Sequence, residues 1–142
     1  MNRLNILLVE DNPGDVFLVR ESLAHHNLEH DLHLATDGEM ALKHIADMGA
    51  PSVVACPDLL LLDLNLPKVD GAAVLLEFRK HPQCAFTPVI VVTSSDMPKD
   101  RTQLAALGIS NYFRKPTSFA AFMQLGAVIR QVIEDHGHRF QK

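Results

Sequence analysis

The sequence lacks any apolar stretch near the roughly 20 residues that a membrane-crossing helix needs, which excludes a transmembrane reading. Its start, Met1-Asn2-Arg3-Leu4, runs into a strand pattern and is expected not to be a signal peptide. Only two cysteines occur, Cys56 and Cys84, and their spacing matches no metal motif. They are expected to be free thiols of a cytoplasmic protein. The net charge is only −4, so there is no general attraction to nucleic acid. Neither a Gly-x-x-x-x-Gly-Lys loop nor a Gly-x-Gly-x-x-Gly turn is present, which argues against a nucleotide- or flavin-binding module. Internal repeats, low-complexity tracts and linkers are also missing. With 142 residues, the expectation is a single domain over 1–142 with no output domain.

What is present favours a packed core. Hydrophobic residues make up 47% and charged residues 21%, a balance that argues against disorder. Short apolar runs alternate with longer helical patterns. Leu4 to Val9 reads as a strand. Asn12 then caps a helix that has Pro13 in its first turn and Val16, Val19, Leu23 and Phe17 at helical spacing. A short strand at Asp31 to Ala35 precedes a helix capped by Asp37, which carries Met40, Ala41, Ile45 and Met48. Gly49 to Asp58 reads as a loop. The run Leu59-Leu60-Leu61-Leu62 has no polar alternation, which suits a strand covered on both faces. Pro67 and Gly71 punctuate before a helix with Val74, Leu75 and Phe78. Val89 to Val92 follows as a strand, then a helix from about Lys99 to Leu107 that stops at Gly108. Tyr112 to Arg114 is the last strand, and one helix from about Thr117 to His136 closes the chain. Five strand–helix alternations imply parallel pairing with right-handed crossovers.

Chemistry gathers where strands end. Glu10-Asp11 follow the first strand, Asp63 the third, Thr93-Ser94-Ser95 end the fourth, and Lys115-Pro116 follow the fifth. The carboxyl edge of an open parallel sheet is where such folds hold ligands. A carboxylate such as Asp63 can attack phosphorus and form an acyl phosphate. Glu10 and Asp11 add to the repulsion that an incoming anion meets. Two like charges at roughly 4 Å cost about 1 kcal/mol in water and about 4 kcal/mol at an effective dielectric of 20. Three acids together therefore ask for a hard divalent cation, and Mg²⁺ suits oxygen ligands best. Asn65 could add a backbone carbonyl. Lys115 could bring a point charge to a phosphoryl oxygen, and Thr93 could donate a hydroxyl. The plainer alternatives are an acidic turn, a solvated lysine and a helix-capping hydroxyl.

These residues resemble the receiver domain of two-component response regulators. The matching elements are Glu10-Asp11, Asp63-Leu64-Asn65-Leu66-Pro67 with Asp70-Gly71, Thr93-Ser94, and Tyr112 with Lys115-Pro116. Ser94 stands where alanine is common. The resemblance implies an α/β flavodoxin-like (βα)5 fold, a five-stranded parallel sheet in order 2-1-3-4-5. It implies phosphotransfer from a histidine kinase to Asp63, with Mg²⁺ held by Glu10, Asp11, Asp63 and the Asn65 carbonyl. Thr93 and Tyr112 would be the switch pair, and Lys115 would contact the phosphoryl group. Such a protein catalyses only its own phosphorylation and dephosphorylation. Val9 to Asp15 and Asp63 to Lys68 look like stand-alone regulators paired with bacterial phytochromes, so a phytochrome-type kinase is the expected partner.

Output would be a protein contact. On the last helix Phe119, Phe122, Gly126, Ile129 and Ile133 form one stripe, and Leu125, Val128 and Val132 a second. That width suggests a homodimer through the 118–136 face. Four of the eight histidines are His25, His26, His30 and His33, read as exposed or packing groups. Two alternatives stay open. One is a degenerate receiver acting as an unphosphorylated scaffold. The other is an aspartate-nucleophile phosphatase, although Asn65 stands where that class wants a second acid.

Overall fold

The computed structural model describes residues 3–48, 55–94 and 98–137, with the side chains of 98–101 outside the description. Most of the expected 49–58 loop, together with Ser95, lies outside the described residues. The strands are β1 (Leu4–Val9), β2 (His30–Ala35), β3 (Leu59–Leu62), β4 (Val89–Thr93) and β5 (Asn111–Arg114). The helices are α1 (Pro13–His25), α2 (Gly38–Ala46), α3 (Gly71–Arg79), α4 (Pro98–Ala105), α5 (Phe119–Phe122) and α6 (Gln124–Asp135), with a 3-10 turn at Pro82–Cys84. All strand pairs are parallel, in the order β2-β1-β3-β4-β5. This is the flavodoxin-like sheet that the sequence pattern and its resemblance imply.

The leucine run explains itself once both faces are seen. Leu59 and Leu61 pack with α1, α5 and α6, while Leu60 and Leu62 pack with α2, α3 and α4. A strand buried on both sides has no position for a polar residue until it reaches the edge, and there Asp63 stands. Three helices begin as their sequences dictate. The side chains of Asn12, Asp37 and Asp70 accept from the backbone N–H groups of Asp15, Met40 and Ala73. Phe17 and Met40, placed on their helices with residues that prove to be core, are themselves exposed.

Three points bear on the expectations. First, the closing helix is interrupted for one residue at Met123, which keeps helical backbone angles (φ −63°, ψ −16°). The Met123 carbonyl accepts from Ser22 Oγ at 2.9 Å and from His26 Nε2 at 2.8 Å. A carbonyl only accepts, so the proton of His26 sits on Nε2. Gly126 N–H in turn donates to Ser22 Oγ at 2.7 Å. A side chain at Gly126 would collide with the Ser22 carbonyl and the His26 ring. Helix α1 thus takes over backbone groups at the start of α6.

Second, both apolar stripes of α5 and α6 are used within the chain. Phe122, Leu125, Gly126, Ile129, Val132 and Ile133 are buried, and Val128 packs against the core. The width of the stripes is therefore core, and among the described residues of this face Phe119 is the exposed large hydrophobic side chain. Third, Cys56 and Cys84 are joined in a disulfide, not free. Their Cα atoms lie 5.8 Å apart, within the bridging range. The fold brings the approach to β3 against the turn after α3, which a 28-residue spacing does not announce. The four histidines are exposed or packing groups: His25 and His33 are exposed, and His26 and His30 are half-buried. No helix among the described residues is long and apolar enough to cross a membrane.

Candidate functional site

Register builds the site. Val9 pairs with Leu62, Leu62 with Val91, and Thr93 with Arg114, so four strands end nearly level. The ladder then continues into the functional residues themselves. Asp63 N–H donates to Val9 O at 3.0 Å, Glu10 N–H to Ala35 O at 3.0 Å, and Lys115 N–H to Thr93 O at 2.8 Å. Backbone bonds of this kind fix where the side chains begin. Gly71 adds a second constraint. Its N–H donates to Leu64 O at 3.1 Å, and a Cβ there would sit 2.5 Å from the Asp63 carbonyl oxygen. The loop after β3 therefore folds back directly onto the backbone of Asp63.

Lys115 is the hub. Its Nζ lies 2.8 Å from Glu10 Oε1, 2.8 Å from Asp15 Oδ2 and 2.9 Å from Asp63 Oδ2. The second oxygen of Asp63 accepts from Asn65 N–H at 3.2 Å. Glu10 Oε2 accepts from Asn12 N–H at 3.2 Å. Burial pushes the Glu10 carboxyl up to about 7, with the Asp63 charge adding to the rise and Lys115 opposing both. For Lys115, burial alone would lower the pKa. Its bonds to Asp15, Glu10 and Asp63 outweigh burial and hold it above the ordinary lysine value. The ammonium therefore stays charged.

Glu10, Asp11 and Asp63 each offer an oxygen, and these atoms lie within 4.8 Å of one another. Three carboxylates, those of Glu10, Asp15 and Asp63, contact one ammonium, and Asp11 adds a fourth acid to the cluster. An all-oxygen donor set with excess negative charge fits a hard divalent cation. Thr93 is fully buried at the end of β4. Tyr112 pairs with Val91, two positions before Thr93, so the two lie diagonally on one sheet face. That face packs against α2, α3 and α4, and half-buried Tyr112 joins its cluster. The structure thus gathers Glu10, Asp11, Asp63, Asn65 and Lys115 at one point, with Thr93 and Tyr112 on the adjoining strands. Sequence reasoning assigned no role to Asp15. The available signal was local: an acid in the first turn of a helix that starts two residues after the acidic pair.

A family model described as the response regulator receiver domain matches residues 6–126. The chain belongs to this family. Response regulator Rcp1 of Synechocystis is 38% identical over 110 residues, covering 78% of this chain and 75% of the relative. Among solved structures, the phosphorylated cyanobacterial phytochrome response regulator RcpA superposes with a TM-score of 0.83 at 32% identity. The match covers 95% of this chain and 96% of that one. A receiver domain of a Pseudomonas aeruginosa sensor histidine kinase, with magnesium coordinated in its cleft, gives a TM-score of 0.73 at 26% identity. That match covers 94% of this chain and 99% of the other. The receiver described here is thus related to phytochrome response regulators, and its acidic cluster fits a phosphorylation site that uses a divalent metal.

Proposed function

We propose that this receiver accepts a phosphoryl group on Asp63 from a histidine kinase of the phytochrome type, with Mg²⁺ as the metal, and signals as a stand-alone protein in the cytoplasm. One observation carries the reading: Lys115 sits on Asp63 while Glu10 and Asp11 hold their oxygens beside it. In the transfer, an Asp63 carboxylate oxygen forms a bond to phosphorus and the donor's P–N bond breaks. The departing imidazole keeps the electron pair and takes up a proton. Bound Mg²⁺ would be held by Glu10, Asp11, Asp63 and the Asn65 carbonyl, and would neutralise phosphoryl oxygens. Lys115 supplies the second positive charge, and buried Thr93 the hydroxyl donor at the end of β4. The phosphoryl group brings about −1.5 to −2 charges, drawing Thr93 and Lys115 inward and shifting Tyr112 with the α4–β5 surface.

The protein catalyses only its own phosphorylation and dephosphorylation, and output is a protein contact. A homodimer through the α5–α6 face rests on exposed Phe119, and sedimentation with beryllofluoride tests it: a monomer throughout removes it. The central test is labelling by a small acyl phosphate with Mg²⁺. Wild type should acquire one phosphoryl group, and Asp63→Asn should acquire none while keeping its fold by circular dichroism. Labelling that persists in Asp63→Asn would overturn the assignment. Phosphotransfer profiling against phytochrome kinases tests the partner.

A further inference from the structure

Three carboxylates crowd the Lys115 ammonium in this structure. It donates to Asp15 at 2.8 Å and Asp63 at 2.9 Å and forms an ion pair with Glu10 at 2.8 Å. A phosphoryl oxygen can reach Lys115 only if one of these partners lets go. The three are not equivalent. The Glu10 side chain is 2% exposed, that of Asp63 6%, and that of Asp15 23%. A buried carboxylate that loses Lys115 must be answered by another cation, whereas water alone can replace Lys115 at Asp15.

The local chain also suits Asp15 for this part. Asn12 caps α1 by accepting from Asp15 N–H at 3.1 Å, and Pro13 occupies the first turn. Asp15 therefore stands at the positive end of a 13-residue helix, which stabilises its anion after the ammonium leaves. Its carboxylate is fixed where it can meet Lys115 from 100 residues away in the chain.

We infer that Asp15 is a positioning residue: it holds the Lys115 ammonium in the unphosphorylated protein and is the partner Lys115 gives up when Asp63 takes a phosphoryl group. The inference rests on the phosphoacceptor reading of Asp63. Asp15 then sets how readily the site accepts the group, because every phosphorylation begins by breaking its ion pair. The rival arrangement keeps Asp15 on Lys115 and exchanges the Asp63 bond instead.

Three measurements decide it. Beryllofluoride affinity at saturating Mg²⁺ should tighten about fivefold in Asp15→Asn, the upper end for a partly exposed ion pair. Asp15→Glu should return toward wild type. In metal-free protein, a thermal-unfolding cycle of Asp15→Asn with Lys115→Ala should show favourable coupling between the two residues. Unchanged or weaker beryllofluoride binding in Asp15→Asn, or no coupling, overturns the inference. The affinity arm stands even if Lys115→Ala does not fold. A purely structural Asp15 would lower unfolding temperature without tightening beryllofluoride. Failure of wild type to label at all would sink the phosphoacceptor reading, whereas labelled wild type with an indifferent Asp15→Asn would sink only this inference.

Discussion

Two partly buried cations stand at opposite ends of this sheet, and they are treated in opposite ways. Lys115, at the carboxyl end, is surrounded by the carboxylates of Glu10, Asp15 and Asp63. Arg79, at the end of α3, lies over the Phe78 ring and donates to backbone carbonyls: Leu107 O at 3.1 Å, Cys84 O at 2.9 Å, Thr87 O at 2.7 Å and Gly108 O at 2.9 Å. The electrostatic results diverge. Burial lowers the Arg79 pKa with no anion to answer it, while the acids around Lys115 raise that of the lysine. Neutral backbone carbonyls alone cannot be offered a metal or a proton in place of the guanidinium, so they make a static clamp. Carboxylates make an exchangeable one, since they can be offered a metal, a proton or water instead. One end of the sheet is built to stay and the other to change partners.

The contrast can be broken first at the static end. Arg79→Ala should destabilise the protein by about 2–4 kcal/mol, because three partly buried carbonyls lose a charged donor together. Urea unfolding measures this, and labelling of Asp63 under native conditions should persist. A labelling defect of equal size would join the two ends that the comparison separates. The neighbouring disulfide gives the next effect. Its 28-residue separation predicts that reduction costs about 2–4 kcal/mol, read from denaturation with and without dithiothreitol. Again labelling should survive.

At the changeable end the effects are smaller. Glu10 is pushed up to about 7 in the fold, whereas in the unfolded chain it ionises near the ordinary glutamate value of 4.5. Between those values the folded state binds more protons, so the Glu10 contribution to metal-free stability falls as pH rises and is spent above about 7. Unfolding at pH 5 and pH 8 should show a larger decline for wild type than for Glu10→Gln. Equal declines would mean that the buried acid is not the cause. The same proton competes with the cation, so Mg²⁺ binding should strengthen as pH rises through this range. The smallest effect belongs to Asp11→Ala. It should raise metal-free stability by about 1 kcal/mol or less, because Lys115 already offsets much of the repulsion, while weakening Mg²⁺ binding. A fall in metal-free stability would contradict the repulsion argument, and calorimetry measures both.

Much of the site was legible before any coordinates. Glu10, Asp11, Asp63 and Thr93 end apolar strand runs, Lys115 follows the mixed strand Asn111–Arg114, and parallel strands that end level must bring such residues together. Asp15 was not legible in the same way. Its partner lies 100 residues on, and the pairing depends on the tilt and start of α1 as much as on residue type. The wide apolar face of the last helix reads more simply for a related reason. Hydrophobicity records that a residue is to be buried but not by what, and α1 and the sheet cover both stripes without a second chain.

The chain's own order of residues dictated the alternation of strands and helices, the caps at Asn12, Asp37 and Asp70, and the acids at the strand ends. These follow from interactions spanning a few residues, where backbone geometry leaves little choice. Folding in three dimensions alone decided the Cys56–Cys84 bond, the carbonyl clamp on Arg79, the interruption at Met123 and the partners of Lys115. Each joins segments far apart in the chain, and whether they meet depends on register, helix length and packing angle together, which no short window of sequence contains.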